Sequence, residues 1–169
     1  VNFLTYNAEQ YEEVLKASSD VKSAIRYFRK DFSNGNTYGI DTSTIFVGGS
    51  SAGAIIAIHL AYIDDITDLP TMAVDNNGSL VNVQSIANNL GGIEGDAGNN
   101  GYSSKVSGVI SFAGGINDLS WIDSSDEPLV SIQGDVDLTV NYMCGPGLDN
   151  PNVLTLCGSG EMHPQANAV

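Results

Sequence analysis

A glycine-flanked serine between an apolar run and a small-residue run constrains this chain more than any other stretch. The segment Thr44-Ile45-Phe46-Val47 is β-branched, aromatic and uncharged; it enters Gly49-Ser50-Ser51-Ala52-Gly53 and leaves through Ala54-Ile55-Ile56-Ala57. β-Branched and aromatic residues suit a strand, and the small apolar run suits a buried helix. The five residues between them fit GxSxG, with Ser51 in the middle. A serine on so sharp a turn occupies a strained backbone region, and a side chain two positions before or after it would strike the neighbouring strand or helix. Glycine is therefore expected at 49 and 53. The turn also sets the Ser51 hydroxyl at the N-terminus of a helix, where unpaired N–H groups and the positive end of the helix dipole stabilise an oxyanion. The Ala52 N–H is the expected donor. Without chemistry, the same residues read as a glycine-rich turn opening a buried helix.

The length of 169 residues suits one domain with a substantial core. With 6 Lys and Arg against 20 Asp and Glu, the net charge is −14. Such a chain repels nucleic-acid phosphates and anionic membrane surfaces, so both are set aside as partners. No apolar run is long enough to predict a transmembrane segment. Cys144 and Cys157 flank a Gly-, Pro- and Asn-rich segment. A disulfide closing that loop, worth about 3 kcal/mol, is favoured over two separate thiols and implies a secreted or periplasmic protein. No leader is visible and Val1 is not an initiator Met, so the chain is expected to begin after processing or truncation.

Apolar residues Val14, Val21, Ala24, Ile25 and Phe28 recur at three- and four-residue spacing, which predicts a helix from Tyr11 to Phe32 with Asp20 as an interruption or cap. Lys22, Arg26, Arg29 and Lys30 are expected on its solvated face. His59 falls more than two turns into the helix after Ser51 and is read as a packing residue. Residues 64–104 are broken repeatedly by Asn-Gly and Gly-Gly pairs and predict a cap or lid insertion with short helices. Within it, Asp96 to Gly101 resembles a calcium loop, but the twelfth position is Ser107 rather than a bidentate Glu, so no metal is expected. Val106–Phe112 and Pro128–Gly134 predict two further strands. Asp135 and Asp137 follow the second, at the carboxyl edge where open α/β sheets place their chemistry. Strands separated by helical segments predict a doubly wound, mostly parallel sheet.

A serine hydroxyl becomes a good nucleophile when a histidine takes its proton and a carboxylate holds that histidine. The run from Ala24 through Ala57, with AIRYFRKDF, YGID and IFVGGSSAGA, together with PLVSIQGDVDLTVNY, resembles the carboxylesterase and lipase-like branch of the α/β-hydrolase family. That resemblance implies the family's fold and no cofactor. It aligns Gly134, Asp137 and Val140 with the family's glycine, acid and valine, making Asp137 the triad acid and Asp135 its solvated neighbour. The strands and oxyanion loop that precede the elbow in the family have no counterpart before Val1, and no further strand and histidine loop is visible before Val169. The chain is thus expected to be the central part of a longer hydrolase, incomplete at both ends. His163 is in the right order after Asp137, but its Pro164 neighbour and its place at a helix start suit a structural position better. The triad histidine is therefore expected beyond the chain. Bare sheet edges and faces would then be covered by self-association or a companion chain.

The implied activity is hydrolysis of small-molecule or lipid-like carboxylic esters. Two other readings remain. Asp135-Val136-Asp137-Leu138-Thr139 fits the DxDxT motif of aspartate-nucleophile phosphohydrolases, although Gln133-Gly134 separate it from the apolar strand. The chain could also be a hydrolase-like scaffold with a binding or structural role.

Overall fold

A computed structural model describes residues 7–169; the first six residues of the expected single domain lie outside the described residues. It opens with helix α1, Asn7–Ser33, which is unbroken at the exposed Asp20. Its buried side carries Val14, Leu15 and Ile25, as the apolar spacing requires, but also Lys22 and Arg26. The expectation that these two cations lie on a solvated face is overturned. Lys22 Nζ donates to the Ile93 carbonyl at 3.0 Å and Glu94 Oε1 at 3.3 Å. Arg26 donates from Nε to the Gly98 carbonyl at 3.0 Å and from Nη1 to the Glu94 carbonyl at 3.0 Å and Oε2 at 3.2 Å. Arg29 adds the carbonyls of Ser103 and Lys105. A loop without regular structure leaves backbone carbonyls unpaired, and here the cations of a neighbouring helix satisfy them.

Strand β1, Val47–Ser50, leads through Ser51 into helix α2, Ala52–Tyr62. Most of α2 is buried, including Ala54, Ile55, Ala57, Ile58 and Leu60, because it lies between the sheet and α1. The segment that follows forms a short antiparallel hairpin, β2 (Met72–Val74) with β3 (Leu80–Asn82), and helix α3, Val83–Asn89. Asn82 caps α3 by accepting from the Ser85 N–H at 2.7 Å. Strand β2 and helix α3 pack against α1.

Strands β4, Val109–Phe112, and β5, Leu129–Ile132, complete a parallel sheet of three strands in the order β1-β4-β5. Between them, among the described residues, the helical structure is a single 3-10 turn, Leu119–Trp121. The chain then makes the hairpin β6 (Cys144–Pro146) with β7 (Thr155–Cys157) and ends in helix α4, Ser159–Ala168. Cys144 and Cys157 face each other in the hairpin and form a disulfide.

Register explains which side of the sheet is covered. Gly49, Ser111 and Ser131 lie in one row, and Ser111 is fully buried under α2. The alternate rows are Gly48, Ile110, Val130 and Ser50, Phe112, Ile132. On that second face Ile110, Phe112, Val130 and Ile132 are all exposed, Ile132 at 60%. This part of the chain is thus α/β with a parallel sheet of three strands, and among the described residues helices cover one face of that sheet. Parallel sheets are ordinarily covered on both faces, which accounts for the apolar character of the bare side.

Candidate active site

The junction between β1 and α2 has the strained backbone that so sharp a turn predicts. Ser51 sits at φ 52°, ψ −120°, a left-handed conformation that costs a non-glycine residue about 1 to 3 kcal/mol. The turn is pinned to the neighbouring strand, because the Ser51 N–H donates to the Phe112 carbonyl at 2.8 Å. A Cβ on Gly49 would lie 2.3 Å from the carbonyl carbon of Gly53 and 2.8 Å from the Ala54 nitrogen. The strand can pass this close to the helix only with glycine there. Gly53 is different: a Cβ added to it meets no described atom within 4 Å beyond its chain neighbours and the backbone of its own helix. The collision expected at 53 is therefore the one made by a side chain at 49.

Ser51 is exposed, and its hydroxyl has no partner among the described residues. Ala54 and Ile55 donate their N–H groups to the Ser51 carbonyl, leaving those of Ala52 and Gly53 without a backbone acceptor among the described residues. Two open donors at the positive end of an 11-residue helix, beside an unpaired hydroxyl, suit an oxygen that gains negative charge.

A cavity of about 70 Å³ opens beside the serine, lined by Ser51, Ala52, Ile55, Thr139, Val140, Gly147, Leu148, Val153 and Leu156. Its floor is α2, and its far wall is the loop after β5 together with the disulfide-bonded hairpin. Thr139 and Val140 lie two and three residues after Asp137, so the loop that carries Asp137 and the turn at Ser51 border the same space. Asp137 is half-buried, and its Oδ1 accepts from the N–H groups of Thr139 at 2.8 Å and Val140 at 3.1 Å. Those bonds fold the loop around the carboxylate and leave Oδ2 with one long contact, Gln133 Nε2 at 3.5 Å. Asp135 is exposed. No group of three or more His, Cys, Asp or Glu suited to a metal occurs among the described residues.

Neither histidine lines this cavity. His59 is buried, with Nδ1 2.7 Å from the Ile55 carbonyl and Nε2 2.7 Å from Asn117 Oδ1. Burial lowers its pKa. His163 places Nε2 3.1 Å from the Ser131 carbonyl and lines a separate cavity with Asp123, Glu127 and Leu129. That cavity lies at the sheet edge formed by β5, two strands from β1. Residues 64–104 contribute nothing to the Ser51 cavity. The lining residues of the hairpin had no motif of their own; the paired cysteines were the one sequence signal that a closed loop would stand there.

A family model described as BD-FAE matches residues 1–150. The chain belongs to the BD-FAE family. BD-FAE is an α/β-hydrolase-like family of esterases, in agreement with the resemblance carried by the elbow and acid segments. No curated protein matches the chain. Among solved structures, this BD-FAE member is similar to a chain described as a truncated form of carbohydrate esterase from gut microbiota, at 22% identity and a TM-score of 0.45. The likeness covers 74% of the present chain and 51% of the other, so the BD-FAE chain spans about half the length of that structure.

Proposed function

We propose that this chain carries the nucleophile and the acid of a serine esterase acting on carboxylic esters. Ser51 Oγ attacks the ester carbonyl while a histidine takes its proton, and the Ala52 N–H bonds the oxyanion. As the tetrahedral intermediate collapses, the carbon–oxygen bond to the alcohol breaks and the histidine returns the proton to the leaving oxygen. Water, deprotonated by the same histidine, then releases the acid and restores Ser51. Asp137 orients that histidine and stabilises its charged form. In the whole protein the histidine comes from outside residues 7–169, since His59 and His163 are both engaged away from the cavity. The disulfide supports a secreted or periplasmic setting. No helix among the described residues is long and apolar enough to cross a membrane.

The observation that carries this reading is the left-handed backbone at Ser51 beside open N–H groups and a cavity walled by the acid loop. Strain of this kind in a residue whose hydroxyl has no partner among the described residues is more economically explained by chemistry than by folding. The test is active-site labelling of the whole protein with a fluorophosphonate, followed by peptide mapping. Modification at Ser51, absent from Ser51→Ala, is the expected result. An unlabelled Ser51 in folded whole protein defeats the proposal. The placement of both histidines away from the cavity favours one second reading, a hydrolase-like scaffold without turnover. Ester hydrolysis abolished by Ser51→Ala would exclude it.

A further inference from the structure

Gln133 stands where three segments meet: the end of β5, the loop that carries Asp137, and the start of α4. Its Nε2 donates to the Val140 carbonyl at 2.7 Å and its Oε1 accepts from the Ser159 N–H at 2.8 Å. A backbone carbonyl only accepts and a backbone N–H only donates, so the two partners fix which way the amide faces. The second Nε2 hydrogen is then directed toward Asp137 Oδ2, 3.5 Å away.

The surrounding chain is shaped to admit this side chain. A Cβ on Gly158 would fall 2.5 Å from Gln133 Oε1 and 2.2 Å from the Asn141 carbonyl oxygen. Glycine at 158 therefore lets β7 pass into α4 directly beside the amide. The Gly158 N–H in turn donates to the Met143 carbonyl at 2.9 Å, tying the end of the acid loop to the same crossing.

From these contacts we propose that Gln133 is the positioning residue of the acid loop, holding the Val140 peptide and thereby presenting Asp137 Oδ2 to the catalytic histidine. The proposal rests on the esterase reading of Ser51 and Asp137. Val140 is held from both ends, its N–H by Asp137 Oδ1 and its carbonyl by Gln133. With the amide removed, the carbonyl loses its partner and the loop can rotate about Gly134, carrying the carboxylate with it. An ångström of misplacement at a group that orients a base costs up to about a hundredfold in rate.

A double-mutant cycle on the whole protein tests this, reading the fluorophosphonate labelling rate of Ser51 against pH. Gln133→Met keeps the length of the side chain and removes both bonds. It should slow labelling about tenfold and move the pH midpoint set by the histidine. In an Asp137→Asn background the same substitution should change the rate less than twofold, because it acts through a carboxylate no longer present. Equal losses in both backgrounds, or a slower rate with an unmoved midpoint, overturn the proposal and leave the esterase reading standing. A parent protein that does not label at Ser51 refutes the esterase reading instead. Should Gln133→Met not fold, Gln133→Glu decides: Oε1 still accepts from Ser159, but only the protonated acid donates to Val140. Its labelling rate relative to the parent should rise as pH falls; a ratio independent of pH refutes the assignment.

Discussion

The Cβ position of Gly49 falls 2.3 Å from the carbonyl carbon of Gly53, closer than two non-bonded carbons can approach. Strand and helix therefore pass each other with no room for a methyl group at residue 49, and that approach bends the chain so that Ser51 faces outward. The asymmetry between the two glycines is testable. Gly49→Ala should destabilise the protein by about 3 kcal/mol, the cost of overpacking a rigid backbone contact, and should abolish labelling of Ser51. Gly53→Ala should change the urea midpoint little and leave Ser51 reactive, since its Cβ meets no described atom within 4 Å beyond its chain neighbours and its own helix backbone.

Ser51 holds its left-handed backbone at a cost that glycine would not incur. Ser51→Gly should therefore raise stability by about 1 kcal/mol while eliminating the ester hydrolysis proposed for Ser51. Thermal unfolding measured beside activity checks both halves. A loss of stability would mean that the serine is held there by bonds the fold needs rather than for its reactivity.

The disulfide closes the hairpin that supplies Val153 and Leu156 to the cavity wall. Replacing both cysteines by serine should cost about 3 kcal/mol, the loop-closure entropy of the cross-link. Because the wall loosens while the elbow stays, KM should rise more than kcat falls. Steady-state kinetics on a short-chain ester measures the split.

Asp126 is partly buried near Asp64, Asp123 and Glu127, and its pKa is raised to about 6, first by burial and then by those neighbouring charges. A carboxyl whose folded pKa exceeds its unfolded value stabilises the fold below the unfolded pKa, and that contribution is lost as pH rises through 6. Asp126→Asn keeps an oxygen for the Asp123 N–H, which donates to Asp126 Oδ2 at 2.6 Å. It should stabilise the protein at pH 7 by about 1 kcal/mol, the full shift being discounted for the solvent around the group. Between pH 4 and about 6 the variant's stability curve should be flatter than the parent's. Urea melts across that range give the comparison.

Glu94 is the shared carboxylate of Lys22 and Arg26, both nearly fully buried. Glu94→Ala should cost about 2 kcal/mol, less than breaking a fully buried pair because Glu94 itself is largely open to water. The loss should appear in the urea midpoint without changing the labelling rate of Ser51, since the network lies outside the Ser51 cavity.

Much of the candidate site's local geometry could be read from short stretches of sequence. The elbow at Gly49-Ser50-Ser51-Ala52-Gly53 is a steric solution made by consecutive residues, and the disulfide was marked by its cysteines. Asp137 was assigned by resemblance to a family pattern, and its place in the acid loop borders the Ser51 cavity through Thr139 and Val140. By contrast, Lys22 and Arg26 have the helical spacing of a solvated face, and only the loop at 93–98 turns that face inward. Cations on a helix have no pattern that reveals whether a distant loop will need their hydrogens.

What the sequence alone determined was therefore the geometry of a turn: a serine with glycine before it, between a strand and a helix, where contacts act over a few residues. The tertiary structure decided what depends on distant segments meeting. It joined Gln133, Val140 and Ser159 at one crossing, set Leu148 and Leu156 opposite Ser51, drew both histidines away from it, and left the Ile110 and Ile132 face of the sheet uncovered among the described residues. Side-chain period tells which residues share a face, but which element covers that face depends on how the whole chain packs.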